Sequence, residues 1–361
     1  VNDRLMLSSI NWTYIVCDEA QALKNPKSSR RQAVATLPRK YTIPVTGTPV
    51  ENSLVDLWSL LDFAIPGLLG TQDAFELTYP DSEDDAAALS EVVDPVILKR
   101  RLADVAQQLP ERTNVDIPLE MGVKLATEYE RTRQEVLDKY PVAGQLVASG
   151  QLALFCAHPW LQAKDPEAEN WEDAVEILKQ DGIDLMTPKL EVTIDLLTQA
   201  FRQNKKVILF AAYNNCKAII EEAIASLTRN AFPKAYWNAI NGSTPAEDRQ
   251  TILDEYSRYD GPAILVLNPK AAGSGLNIQA ATVVIHYTQY WNPALEMQAS
   301  ARAHRTGQKN PVTVYYLYYQ NSVEEIMLAR TEWKRAIAGA AIPITVREED
   351  LSAALRISPN T

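Results

Sequence analysis

The chain has 361 residues, 46% hydrophobic and 22% charged, with a formal net charge of −11. That size accommodates two or three soluble domains, and apolar runs such as Ala263–Leu267 are far too short to cross a bilayer. Cys17, Cys156 and Cys216 form no CxxC pair and the histidines no metal-ligand spacing. Free thiols in a reducing compartment, cytoplasmic or nuclear, are therefore expected, and a metal centre built from protein ligands alone is not.

The opening Val1-Asn-Asp-Arg-Leu lacks a charged-then-apolar layout, so no export is expected. Trp12–Cys17 is a continuous apolar, β-rich run and predicts a strand buried on both faces of a parallel sheet. A helix over Ser28–Leu37, a strand over Tyr41–Val45 and a turn at Thr46-Gly47-Thr48-Pro49 follow. Leu54, Leu57, Trp58 and Leu61 mark an amphipathic helix capped by Asn52 or Ser53 and ended by Pro66-Gly67. Residues 67–185 read as a polar helical insert and linker without strand alternation, and 165–184 carries eight acids against Lys179. From Thr187 the α/β alternation returns: strands at Lys206–Phe210, Tyr236–Ile240, Ala263–Leu267, Thr282–His286 and Thr313–Tyr319, with helices at Asn215–Leu227, Pro245–Tyr256, Pro293–His304 and Ser322–Ala338. Such alternation predicts parallel sheets covered on both faces, arranged as two α/β lobes separated by helices. The expected domains are 1–66, 67–185, 186–321 and 322–361.

Gln298, Arg302 and Arg305 are spaced i, i+4, i+7, so a continuous helix would align them on one face. Two guanidinium forks and an amide in a row suit a polyphosphate, whereas the bland alternative is a solvated helix face. Asp18 and Glu19 directly follow the first strand, where α/β sheets collect ligands. One carboxylate there can hold hydrated Mg²⁺ and its neighbour can deprotonate an attacking water. Equally, Asp18 could be an N-cap and Glu19 a first-turn acid. Thr46-Gly47-Thr48 could pass a change at that site onward or be simply a turn. In Lys270-Ala-Ala-Gly273-Ser274-Gly275, glycines allow backbone amides to face phosphates of a nucleotide or DNA, or serve structure alone. Basic clusters at Arg30-Arg31, Arg39-Lys40, Lys99-Arg100-Arg101 and Lys205-Lys206 leave nucleic-acid docking open despite the net charge.

Strand-Asp18-Glu-Ala-Gln21, strand-Thr46-Gly-Thr-Pro, helices, a second α/β unit, strand-Ala272-Gly-Ser-Gly-Leu-Asn277 and Gln298-xxx-Arg302-xx-Arg305 recur in this order in helicase superfamily two. More narrowly, over roughly residues 10–335 the chain resembles the Swi/Snf-type ATPases, through Thr46–Phe63, Leu98–Val105 with Leu109-Pro110, Cys156–Pro159, Gly242–Arg249, His286–Pro293 and Ala303–Gln308. The resemblance implies two RecA-like parallel-sheet lobes, the first incomplete, around an α-helical insert. It implies ATP and Mg²⁺ as nucleotide and cofactor and double-stranded DNA as partner. Asp18 would hold Mg²⁺ through water, Glu19 would be the catalytic base, and Arg302 and Arg305 arginine fingers reaching the phosphates. Gln21, Gly273, Gly275 and Gln298 would line the nucleotide site. Arg100, Arg101, Ser243, Thr244, Arg249, Lys270 and Ser274 would face the DNA backbone, and Thr46, Gly47 and Thr48 would couple the two sites. Residues 322–338 would form a brace helix packing back on the first lobe.

Two departures stand out. Ala272 replaces a glycine usual in the family, and none of the thirteen glycines belongs to GxxxxGK[ST]. The numbered chain is therefore expected to begin inside the first lobe and to be inactive alone, within a DNA-translocating ATPase. A non-catalytic DNA-binding scaffold and an RNA-directed helicase of the same superfamily are the alternatives.

Overall fold

The structure is a computed structural model and describes residues 2–47, 49–50, 53–80, 82–100, 108–140, 145–161, 186–212, 216, 219–220, 223–224, 230–269, 278–291, 299–329 and 348–359. They fall into two compact units, one within 2–100 and the other within 108–329 and 348–359.

The first unit runs α1 (Arg4–Ser8), β1 (Trp12–Cys17), α2 (Ser29–Ala35), β2 (Arg39–Pro44), α3 (Leu54–Ala64), α4 (Gln72–Thr78) and α5 (Glu83–Val93). β1 and β2 pair in parallel, with Cys17 opposite Pro44 at their carboxyl ends. The burial expected on both faces of β1 is not found. Tyr14, Val16, Tyr41 and Ile43 are exposed, Tyr14 stacks on Tyr41, and no residue of either strand is fully buried. Among the described residues this sheet has two strands, too few to make an inside layer. The core is helical instead: Leu54, Leu57, Trp58 and Leu61 form the apolar stripe of α3 and meet Phe75, Ala86, Leu89 and Val93. Ser53 occupies the N-cap position of α3 but accepts no capping hydrogen bond through its side chain.

Two of the basic clusters commit an arginine to this fold. Arg39 donates to the carbonyls of Val34, Ala35 and Leu37 and so finishes α2. Arg31 is buried with its guanidinium 3.9 Å from the Phe63 ring centre, and burial pushes its pKa down.

The second unit runs β3 (Arg112–Leu119), α6 (Val123–Lys139), α7 (Gln145–Ala157), α8 (Pro188–Arg202), β4 (Lys206–Phe210), β5 (Tyr236–Ile240), α9 (Ala246–Arg258), β6 (Ala263–Leu267), β7 (Val283–His286), β8 (Val312–Tyr319) and α10 (Glu348–Arg356). Its parallel sheet has the order β3-β8-β7-β4-β6-β5. Side chains alternate across the pleat into two apolar layers. Val207, Leu209, Ile264 and Val266 enter one; Ile208, Phe210, Leu265 and Leu267 enter the other. Each of these is buried, at a gain of roughly 1.5–3 kcal/mol per large side chain.

β3 corrects the helical reading of 67–185. It pairs with β8 from Arg112 opposite Val312 to Leu119 opposite Tyr319. Its polar content and Pro118 hide it in sequence, and both are tolerated because it lies at the sheet edge. Of the expected helix over 215–227, residues 216, 219–220 and 223–224 are described, helical and buried. Of 322–338, residues 323–329 are helical, with Val323, Glu324 and Met327 buried in the second unit. The remainder of that expected brace lies outside the described residues.

Candidate functional site

The carboxyl ends of β1 and β2 bring four predicted residues together, Asp18, Glu19, Gln21 and Thr46. Ala20 N–H donates to the Val45 carbonyl and Val45 N–H to that of Cys17, which joins the two strand exits. Glu19 sits between them in the left-handed region, φ 50° and ψ 46°, a conformation that costs a residue other than glycine roughly 1–3 kcal/mol. Asp18 is exposed, and its Oδ1 accepts the Glu19 N–H at 2.9 Å. Gln21 Nε2 donates to Glu19 Oε2 at 2.7 Å, and Thr46 Oγ1 donates to Gln21 Oε1 at 2.6 Å.

A hydrogen-bonded line thus runs from the Glu19 carboxylate to the Thr46 turn. The capping alternative for this pair does not hold: Ala20–Leu23 is a short 3₁₀ turn, and its N-cap residue Glu19 makes no side-chain cap bond. Lys24 Nζ, 3.1 Å from Asp56 Oδ2, ties that turn to α3. Gly47 is exposed, and among the described residues a side chain there would meet nothing within 4 Å. Asp18 is an accessible carboxylate of the kind that holds a hydrated Mg²⁺ through water. Among the described residues, no group of three or more His, Cys, Asp or Glu could hold a metal directly.

In the second unit the helix expected over Pro293–His304 ends early. Residues 299–301 are helical, Arg302 and Ala303 lie in a turn, and His304 and Arg305 in a bend. Arg302 N–H and Ala303 N–H bond three residues back, to Ala299 and Ser300, as a tightening helix end does. Helical spacing therefore does not place Arg302 and Arg305 on one face. Tertiary bonds hold the turn instead. Ile278 N–H donates to the Arg302 carbonyl at 3.3 Å, and His304 Nε2 lies 2.8 Å from the Pro110 carbonyl. Gln308 Nε2 lies 2.9–3.1 Å from the carbonyls of Gln279, Ala281 and Ala303. Gly307 has φ +102°, and a Cβ there would come 3.0 Å from Gln279 Nε2. Arg302 is half-buried and Arg305 exposed, so the second guanidinium projects toward solvent from a fixed base.

A third cluster follows β5. Asn241 Oδ1 accepts from Ser243 N–H and Ser243 Oγ, while Asn241 N–H donates to Thr244 Oγ1 at 3.0 Å. Arg249 Nε donates to the Thr244 carbonyl at 3.0 Å. These bonds gather Ser243, Thr244 and Arg249 at the start of α9, with Ser243 exposed and the other two partly so. Arg100 is exposed in the first unit. Thr48, Arg101, Lys270, Gly273, Ser274, Gly275 and Gln298 lie outside the described residues. Sequence reasoning missed Asn241, whose signal is an Asn heading Gly-Ser-Thr. It also missed Ile278 and Gln279 as supports of the arginine turn, and it singled out Pro110 in a Leu-Pro motif without its bond to His304, for which no local signal exists.

The sequence matches the SNF2-related domain over residues 2–154 and the helicase conserved C-terminal domain over residues 188–307. It is 31% identical to YwqA of Bacillus subtilis, described as a candidate ATP-dependent helicase or translocase, over 92% of this chain and 36% of that protein. It is 32% identical to the Zorya protein ZorD of Escherichia coli, over 84% of this chain and 29% of that one. The chain spans about a third of the length of these curated relatives. Its fold is similar to the SWI2/SNF2 ATPase core of Sulfolobus solfataricus solved with double-stranded DNA, at a TM-score of 0.50 and 24% identity, covering 98% of this chain and 75% of that one.

Proposed function

Because the chain belongs to the SNF2-related, Swi/Snf-type ATPases of helicase superfamily two, we propose that it serves an ATP-dependent motor that moves along double-stranded DNA. The observation that carries this reading is the Glu19–Gln21–Thr46 line at the joined ends of β1 and β2. A left-handed residue other than glycine is a strained position, and strain of this kind collects where a side chain has to be aimed. Glu19 orients and deprotonates the attacking water. Asp18 would hold Mg²⁺ through water, and that ion would offset charge on the nucleotide phosphates. Arg302 and Arg305 supply guanidinium donors to the transferred phosphoryl group. Gln21 and Thr46 pass the state of the Glu19 carboxylate to the turn that Thr46 begins.

Ser243, Thr244 and Arg249 offer hydroxyls and a guanidinium to phosphate oxygens, a recognition that reads backbone and not base edges. Arg100 offers a further charge of the same kind. Binding of this type is sequence-insensitive and weakens with salt.

The test is Glu19→Gln in the motor that carries this chain. ATP turnover is expected to fall by roughly 10²–10⁴ while nucleotide binding persists, and wild-type turnover in that variant would remove Glu19 from the role of base. Stimulation by duplex DNA, single strands and RNA is compared alongside. Stimulation confined to RNA would favour the RNA-directed alternative, and absent turnover with intact DNA binding would favour the scaffold.

A further inference from the structure

His286 is the last residue of β7 and is fully buried within the apolar layer beneath one face of the sheet. Its ring lies between Phe210 and Tyr316, at centroid distances of 5.1 Å and 4.7 Å and interplanar angles of 25° and 2°. Both rings are its in-register neighbours, Phe210 on β4 and Tyr316 on β8. A phenylalanine would fill that slot without bringing polar nitrogens into an apolar layer. Burying an imidazole is unfavourable unless it is hydrogen-bonded.

The bond it makes is specific. His286 Nε2 lies 2.7 Å from Ser300 Oγ, and Ser300 is itself fully buried. Ser300 stands two residues before Arg302, and its carbonyl accepts the N–H groups of Ala303 and His304. The same residue therefore connects the sheet to the point where the helix gives way to the arginine turn. A 2.7 Å bond from a ring clamped between two others fixes that point more narrowly than apolar contacts would.

We propose that His286 is a positioning residue for ATP turnover, acting through Ser300 to fix the place from which Arg302 and Arg305 reach the phosphates. This rests on the reading of Arg302 given above. Neither His286 nor Ser300 touches the nucleotide in this scheme, and their contribution is geometric.

The experiment uses the motor that carries this chain, in five variants: Ser300→Ala, His286→Phe, His286→Gln, the double variant and Arg302→Ala. Ser300→Ala removes the hydroxyl alone, and His286→Phe retains the stack. A misplaced reacting group costs up to roughly a hundredfold in rate, so each single variant is expected to lower kcat by roughly ten- to a hundredfold. The KM for ATP and the duplex-DNA affinity should stay within about twofold. The double variant should be no slower than the slower single, because both remove one bond. A His286→Gln variant, whose amide can donate or accept near the Nε2 position, should recover part of kcat. If His286→Phe fails to fold by near-ultraviolet circular dichroism, Ser300→Ala carries the decision by itself. Wild-type kcat in Ser300→Ala, or a loss that matches a lost folded fraction, overturns the proposal. Loss in Arg302→Ala with normal Ser300→Ala sinks this inference and leaves the site reading intact. Normal turnover in Arg302→Ala sinks both.

Discussion

Lys189 and Glu324 form an ion pair with no access to water: Nζ lies 2.6 Å from both carboxylate oxygens, and the side chains are 0% and 2% exposed. The rings of Tyr319 and Tyr287 lie 4.8 Å and 5.5 Å from the ammonium, and Tyr319 N–H donates to Glu324 Oε2. Burial pushes the Glu324 carboxyl up, and Lys189 pulls it back toward ionisation. The pair joins the first turn of α8 to the chain just beyond β8, so its satisfaction matters more to the second unit than its attraction does. Lys189→Met should lower stability by about 3–5 kcal/mol, because it strands a buried carboxylate, whereas Lys189→Met with Glu324→Leu should recover most of that. Urea unfolding of the three proteins decides; equal midpoints for single and double variants would show that the stranded charge costs nothing. In sequence Glu324 falls within the expected brace helix over 322–338, and nothing local marks its partner 135 residues away.

Among the elements, α10 depends on a polar clasp as well as on apolar burial. Ala354 and Leu355 enter the core, while Arg133 of α6 donates to the Leu355 carbonyl at 2.7 Å. Glu130 holds that guanidinium and also accepts from Ser358 Oγ at 2.7 Å. The Arg133 bond keeps the Glu130 carboxyl below its ordinary value of 4.5. A depressed carboxyl pKa contributes stability above the ordinary value and loses it as pH falls through the depressed one. Acidification below that ordinary value should therefore lower the protection of amides in residues 348–356, read as exchange relative to the intrinsic rate at each pH. Glu130→Gln should show faster exchange already at neutral pH and a weaker dependence on acid. The same exchange profile in both proteins would remove Glu130 from the clasp. The element scale also shows where pattern reading works. β4 and β6 are contiguous apolar runs because both their faces are buried, and their bounds agree residue for residue with the expectation. β3 escapes because an edge strand shares its sequence with loops.

At the scale of the molecule, ATP hydrolysis by this fold class needs a loop of backbone amides around the β- and γ-phosphates. The 361 residues contain no GxxxxGK[ST]. The chain purified by itself is thus expected to give no duplex-stimulated phosphate release, while retaining a folded second unit by circular dichroism. Robust stimulated release from these residues alone would overturn that expectation.

The order of motifs along the chain determined the family, the doubly covered sheet of the second unit and the residue types available for phosphate chemistry. Those follow from local spacing and from apolar runs, which a linear chain records directly. The tertiary structure alone decided that Glu19 is left-handed and bonded through Gln21 to Thr46, and that Arg302 and Arg305 leave the helix that their spacing implies. Helical periodicity holds only while the helix continues, and what ends it is supplied from far away in sequence: Pro110 meets His304 across 194 residues. A bond of that range has no local pattern, because its partners become neighbours only when the sheet closes.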